Sequence, residues 1–96
     1  MRITEHEKKV IVEAVKNIDS EAKVWLFGSR VDDNKKGGDI DIAIFSDRIH
    51  KEIMKIIQVR RYICSRIGEQ KIDIVTTSDG SEAIFKLALE EGVELT

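Results

Sequence analysis

The sequence has no proline, a single cysteine, few aromatic residues and no long apolar run. A membrane-spanning helix needs about 20 consecutive apolar residues, so we expect no membrane span, and the N-terminus does not resemble a signal peptide. Cys64 cannot form an internal disulfide, which favours a reducing, cytoplasmic setting. An aromatic content of 5% and a formal net charge of −2 argue against base stacking and charge attraction, so nucleic acid is not expected as the main partner.

What the chain does contain is typical of a folded domain. Its 96 residues are 42% hydrophobic and 35% charged, which is the composition of a globular protein rather than a disordered one. We therefore expect one domain over residues 1–96. A domain of this size buries only roughly 60–70% of the surface that its unfolded chain exposes. So modest a core is compatible with homo-oligomers.

Stretches of helical and strand periodicity alternate along the chain and predict an α+β fold. Thr4 and Glu7 have the spacing of a capping box at the start of the first helix, and Gly68 is the expected end of the second. Asp79 and Glu82 are expected to cap the third helix. In chain order the pattern predicts a helix over 5–17, strands over 23–27 and 39–45, a helix over 49–67, a strand over 71–76, a helix that residue 92 ends, and an extended tail over 93–95.

Acidic residues interrupt the apolar pattern of two predicted strands. Asp39 and Asp41 alternate with isoleucines and so share one face of their strand. Their like charges repel unless a proton or a cation relieves them, and Mg²⁺ or Mn²⁺ prefers such oxygen ligands. Asp73 has the same setting in the third strand, so it can complete a metal site or accept a proton from an attacking hydroxyl if the strands are neighbours. The alternative places Asp39 and Asp41 on the solvated face of an antiparallel sheet.

A glycine turn and a basic loop precede these carboxylates. Gly28 ends the first strand and lets the backbone approach a ligand closely, and N–H groups at such a turn bind anions. Ser29 adds a hydroxyl donor, and Arg30 can bind phosphate oxygens with its guanidinium. Lys35 and Lys36 lie on a glycine-ended loop that can fold over a triphosphate. Together these residues predict a nucleotide-binding site.

Basic residues also lie along the second predicted helix: Lys51, Lys55, Arg60, Arg61 and Arg66. A solvated helix face is the ordinary explanation, and docking of an acidic partner or of RNA is the alternative. The sequence leaves both open.

The chain resembles the minimal nucleotidyltransferases of the DNA polymerase β superfamily at three motifs. They are Phe27-Gly28-Ser29-Arg30, Gly38-Asp39-Ile40-Asp41-Ile42 and Ile72-Asp73-Ile74. The resemblance covers nearly the whole chain and implies the family's fold, a small mixed β-sheet with helices packed on it. It also implies metal-dependent transfer of a nucleoside monophosphate from an NTP, with Asp39, Asp41 and Asp73 as the metal-binding and catalytic residues.

Many short members of that family are similar to antitoxins encoded beside a HEPN-domain ribonuclease toxin, and their proposed activity is transfer of AMP from ATP to a tyrosine of the toxin. The resemblance thus implies ATP as the substrate, Mg²⁺ or Mn²⁺ as the cofactor and a HEPN-domain protein as the partner. The alternative is a non-catalytic binding module that neutralises or scaffolds a partner protein by contact. Three carboxylates kept together favour the enzyme, because a module that only binds gains nothing from them. The chain departs from the family at Val31-Asp32-Asp33, where relatives often have Ala-Arg-Gly, and at Gly38, where they have Ser.

Overall fold

The structure, a computed structural model, describes residues 3–31 and 39–96. Its helices are α1 (Glu5–Lys16), α2 (Ile53–Ile67) and α3 (Ala83–Glu91), and its strands are β1 (Lys23–Phe27), β2 (Ile40–Phe45), β3 (Ile72–Thr77) and β4 (Val93–Glu94). A short 3-10 turn, Gly28–Arg30, follows β1 directly. No helix in the described ranges is long and apolar enough to span a membrane.

The four strands form one mixed sheet in the order β3-β2-β1-β4. Strand β2 pairs antiparallel with β1 and parallel with β3, and β4 pairs antiparallel with β1. This arrangement confirms the expected α+β fold with a mixed sheet. Strand β1 runs antiparallel to β2, and β2 runs parallel to β3. The last residues of β1 therefore lie at the same edge of the sheet as the first residues of β2 and β3.

Helices α1 and α2 cover one face of the sheet. The isoleucines of β2 on this face, Ile40, Ile42 and Ile44, are fully buried. They belong to a cluster that also contains Val10, Ile11, Ala14 and Val15 of α1 and Val59 and Ile63 of α2. The predicted alternation of β2 is therefore confirmed, since its isoleucines all point into this core.

Helix α3 covers part of the opposite face. Phe85 and Ala88 pack on Ala43 in the middle of β2, and the ring of Phe85 meets that of Phe45 edge to face at 5.3 Å between centroids. Trp25 of β1 also contacts this smaller cluster. Strand β1 thus has apolar cover on both sides, as its nearly continuous apolar run predicts.

Two predicted helix ends are confirmed. The Glu7 N–H donates to Thr4 Oγ1 at 3.0 Å, and the Thr4 N–H donates to Glu7 Oε1 at 2.8 Å, which is the capping box. At the end of α2, Gly68 adopts a positive φ of 93° and its N–H donates to the Cys64 carbonyl.

The start of α2 was predicted wrongly. The pattern begins at Ile49, yet the helix begins at Ile53, because residues 47–51 form turns. The Ile49 N–H donates to Ser46 Oγ at 3.2 Å, and Lys51 has a positive φ of 62° that interrupts the helix. Ile49 is nevertheless fully buried, so its apolar character reports burial in a turn rather than a helical position.

The cap of α3 and the tail also differ from prediction. Glu82 is the N-cap, without a side-chain bond to the helix, because its carboxylate accepts from Thr77 Oγ1 at 2.5 Å. Asp79 instead accepts from the Ser81 N–H at 3.0 Å. The extended tail is an edge strand, since Val93–Glu94 pairs with β1.

A buried hydrogen bond connects the turn after α1 with the residue that follows β2. Asp19 Oδ2 accepts from Ser46 Oγ at 2.6 Å, and its Oδ1 accepts from the Glu21 N–H at 3.0 Å. The hydrogen bond from Ser46 holds the pKa of Asp19 below its ordinary value of 3.8. The ionised carboxylate is therefore the form that stabilises the fold.

Replacing Asp19 by Asn should lower the free energy of unfolding by about 1 kcal/mol at pH 7, since hydrogen bonds to a charged group exceed neutral ones by roughly that amount. A depressed pKa stabilises the folded state above pH 3.8, and that contribution is lost as the pH falls through the folded-state pKa. Urea unfolding should therefore give different stabilities at pH 7 and convergent ones near the acid limit. Glu21→Gln, which removes a neighbouring exposed charge, is the control and should change little; a gap that persists in acid would contradict the assignment.

Candidate active site

The carboxylates lie where β1 ends and β2 and β3 begin. Asp41 is central, because it is paired in register with Phe27 on β1 and with Asp73 on β3. The structure thus brings Asp41 and Asp73 side by side, as the sequence analysis expected if the two strands were neighbours. Their side chains project from the face opposite the main core, on the same side as Ala43.

The close approach of these two carboxyl groups has an electrostatic consequence. Burial raises the pKa of Asp41 above its ordinary value of 3.8, and the charge of Asp73 and a hydrogen bond shared with it raise that pKa further. Asp39 adds to the effect, and Lys71 opposes it. A site of this kind favours a bound proton or cation over two free charges.

Asp39 stands just before β2, and its carboxylate is turned toward a lysine. Asp39 Oδ2 lies 3.3 Å from Lys71 Nζ. This ion pair, with smaller contributions from Asp73 and Asp41, raises the pKa of Lys71 above 10.5. In the described part of the chain no three acidic, histidine or cysteine side chains are arranged to hold a metal ion. Asp41 and Asp73 are therefore brought together, whereas Asp39 lies at the same edge of the sheet but is paired with Lys71.

Gly28 closes the site from the side of β1. Its φ of +76° is a conformation that other residues adopt at a cost. A methyl group in place of its hydrogen would overlap Asp41 Oδ2 and lie 3.1 Å from Asp41 Cγ. Gly28 is therefore required both by the turn and by the carboxylate that packs against it.

The predicted phosphate ligands are only partly placed. The Arg30 guanidinium reaches Gln70 Oε1 at 3.4 Å, and Gln70 in turn donates to the Ile67 carbonyl, so Arg30 contacts the segment between α2 and β3. The side chain of Ser29 and the loop residues Lys35 and Lys36 lie outside what the structure describes.

Lys71 is the site residue that sequence reasoning missed. The signal was present, because Lys71 and Asp73 are two residues apart and so share a face of the extended chain. With Asp41 paired to Asp73, Lys71 comes beside Asp39. Its carbonyl accepts from the Ile40 N–H at 3.1 Å, and nearby the Arg60 guanidinium donates to the Ile72 carbonyl. The first bond fixes the starts of β2 and β3 against each other, and the bonds from Arg60 fix α2 to the start of β3.

The basic residues of α2 have several intramolecular partners. Arg66 stacks over the Tyr62 ring at 3.5 Å, Lys55 donates to the Arg48 carbonyl, and Arg60 binds the start of β3. A surface hollow of about 550 Å³ runs along this helix, lined by Met54, Ile57, Gln58, Arg61, Tyr62 and Ser65. None of these lining residues is a carboxylate, so this hollow is separate from the candidate site.

Comparison with known proteins identifies the fold and the family. The family model described as polymerase beta, nucleotidyltransferase matches residues 8–96. The chain belongs to this nucleotidyltransferase family. Comparison with curated proteins finds no significant match. Among solved structures, a chain from the complex of a tri-AMPylated Shewanella oneidensis HEPN toxin with an MNT antitoxin superposes with a TM-score of 0.71 at 18% identity, over 98% of this chain and 72% of that one.

Membership in the family fits the chemistry of the site. Nucleotidyltransferase domains generally use nucleoside triphosphates and divalent metals. Asp41 and Asp73 offer adjacent hard oxygen donors of the kind that Mg²⁺ and Mn²⁺ bind. The repulsion between the two carboxylates is relieved when a cation binds, so this pair favours a bound cation. The donor pair of Asp41 and Asp73 therefore fits a divalent cation.

Replacing Gly28 by Ala should destabilise the protein, because the added methyl overlaps the Asp41 carboxylate and the positive φ of 76° carries a backbone cost of about 1–2 kcal/mol. Asp41→Ala removes the overlapping carboxylate, so Gly28→Ala should cost less in an Asp41→Ala background than in the parent. Urea unfolding of the two single variants and the double variant measures the difference, and an equal cost of Gly28→Ala in both backgrounds would contradict the proposed packing.

Asp41→Asn should raise the free energy of unfolding of the metal-free protein at pH 7. A carboxyl with a raised pKa stabilises the folded state below its unfolded value of 3.8, and that contribution is lost as the pH rises through the folded-state pKa. The variant should therefore gain over the parent as the pH rises, and the two should converge in acid. Asp39→Asn is the matched control, since it removes the partner of Lys71 and should bring no gain. Chelator-treated protein unfolded in urea provides the measurement, and a loss of stability in Asp41→Asn would refute this account.

Proposed function

We propose that this nucleotidyltransferase transfers AMP from ATP to a partner protein, and that the partner is a HEPN-domain ribonuclease toxin that it neutralises as an antitoxin. The observation that carries the proposal is the pair of facing carboxyls, Asp41 and Asp73, under the Gly28 turn. The solved complex adds support, because its HEPN toxin is tri-AMPylated and bound to an MNT antitoxin. The free thiol of Cys64 is in keeping with a reducing cytoplasm as the setting.

Each residue of the site has a role in this reaction. Asp39, Asp41 and Asp73 would hold Mg²⁺ or Mn²⁺, and that ion would neutralise phosphate charge and lower the barrier to displacement. Asp73 accepts the proton of the attacking hydroxyl. The hydroxyl oxygen forms a bond to the α-phosphorus, the bond from that phosphorus to pyrophosphate breaks, and pyrophosphate leaves.

The nucleotide is proposed to lie on the Gly28 side of the carboxylates. A glycine turn lets backbone N–H groups approach phosphate oxygens. Arg30 follows in the same turn and can exchange its 3.4 Å contact with Gln70 for a phosphate oxygen. Ser29 and Lys36 complete the proposed nucleotide-binding set.

A second candidate is a binding module that blocks a partner by contact alone. Large apolar side chains favour it, since Ile53 and Met54 are 70% and 73% exposed at the start of α2. Such side chains are costly in water and typical of interfaces. The two candidates share a partner and differ in whether the carboxylates are needed.

The proposal predicts that the product of the gene beside this protein's own is a HEPN-domain protein, and that this product becomes labelled when it is mixed with this protein, Mg²⁺ and ATP carrying a labelled α-phosphate. ATP labelled at the γ-phosphate should give no labelled partner, because that phosphate leaves with pyrophosphate. The double variant Asp39→Ala, Asp41→Ala should lower labelling by at least about 100-fold, the scale of losing an essential electrostatic group. Glu90→Ala with Glu91→Ala removes the same charge from α3 and should label normally.

The outcomes separate the two candidates. Labelling that survives the loss of Asp39 and Asp41 would refute the mechanism. A parent protein that leaves the partner unlabelled, together with a double variant that still binds it and silences its ribonuclease activity, would favour the binding module.

A further inference from the structure

Lys71 occupies a defined position at the carboxylate edge. Its backbone is fixed beside β2 by the hydrogen bond from the Ile40 N–H to its carbonyl at 3.1 Å. Its ammonium lies 3.3 Å from Asp39 Oδ2, and its side chain is 72% exposed. The backbone is thus anchored while the charged end is free to leave Asp39.

The Lys71 ammonium and a divalent cation can each relieve the repulsion among the carboxylates. Asp39, Asp41 and Asp73 bring like charges to one edge of the sheet, and any nearby cation relieves their repulsion. An exposed ion pair contributes little to stability, so a metal ion can displace it. Both cations use the Asp39 carboxylate, which makes them competitors.

We propose that Lys71 is the internal counter-ion of this site, a positioning residue that holds Asp39 while the site is free of metal and that a divalent cation displaces on binding. The inference rests on the proposed function in one respect, that the metal binds at these carboxylates. It adds that the affinity for metal is set in part by a residue outside the acidic motif. Removal of the ammonium should therefore strengthen metal binding.

The test is the affinity for Mn²⁺ alone, measured by electron paramagnetic resonance of the free ion at constant ionic strength and pH 7. Lys71→Gln should lower the dissociation constant roughly two- to five-fold, the scale of one exposed ion pair. Lys71→Arg keeps the charge and should bind Mn²⁺ as the parent does. Lys23→Gln removes the same charge at the other end of β1, opposite Phe45, and should also leave the affinity unchanged. Circular dichroism confirms that each variant is folded.

Each result decides a different point. Tighter binding by Lys71→Gln alone supports the counter-ion. Equal or weaker binding by Lys71→Gln, with a parent that binds Mn²⁺, overturns the counter-ion and leaves the metal site intact. Equal tightening in Lys23→Gln also overturns it, because general charge would then be the cause. Absence of Mn²⁺ binding in every protein overturns the metal site and the inference together.

Discussion

The placement of Asp41 beside Asp73 by the strand register is the constraint to which the rest of this edge of the sheet conforms. It persists because the opposite faces of the same strands are apolar: Ile40, Ile42 and Ile44 are fully buried. Burying each such side chain stabilises the fold by about 1.5–3 kcal/mol, whereas a cross-strand charge pair alters stability by about 0.2–1 kcal/mol. A slip by one residue would bury the carboxylates instead. The core therefore sets the register, and the register holds the charges together.

The neighbouring residues can be understood from this constraint. Gly28 has no side chain where one would meet the Asp41 carboxylate. Lys71 places an ammonium beside Asp39. The bond from the Ile40 N–H to the Lys71 carbonyl holds the starts of β2 and β3 together beside the carboxylates, and the Arg60 guanidinium holds α2 to the Ile72 carbonyl. The carboxylates at this edge of the sheet are thus accommodated by the missing side chain of Gly28, the ammonium of Lys71 and main-chain hydrogen bonds.

The alternation of apolar and acidic residues predicted strands β2 and β3 and the faces of their side chains, because only one orientation of each strand buries its isoleucines. It could not by itself make Asp41 and Asp73 neighbours, since strand order depends on packing between distant segments; the family resemblance supplied that step.

The errors have local physical causes. Ile49 is buried from within a turn, and Glu82 exchanges a helix cap for a hydrogen bond with Thr77. The tail needed the exposed edge of β1 to become β4. Lys71 went unnoticed because a lone lysine before a strand has no meaning until register places it beside Asp39.

The candidate catalytic carboxylates and the most exposed apolar side chains lie on separate surfaces of the described structure. The carboxylates lie at the starts of β2 and β3, while Ile53 and Met54 are exposed at the start of α2. In the parallel pair, Phe45 and Thr77 are the last partners and Asp41 and Asp73 are near the first, so the turn that leads from β2 into α2 leaves from the edge opposite the carboxylates. Under the proposed function, a partner bound at Ile53 and Met54 would therefore have to reach around the sheet, or bring a flexible segment, to present a hydroxyl at Asp73. Contact and transfer would then be separable, and loss of the carboxylates would not by itself release a partner held at Ile53 and Met54.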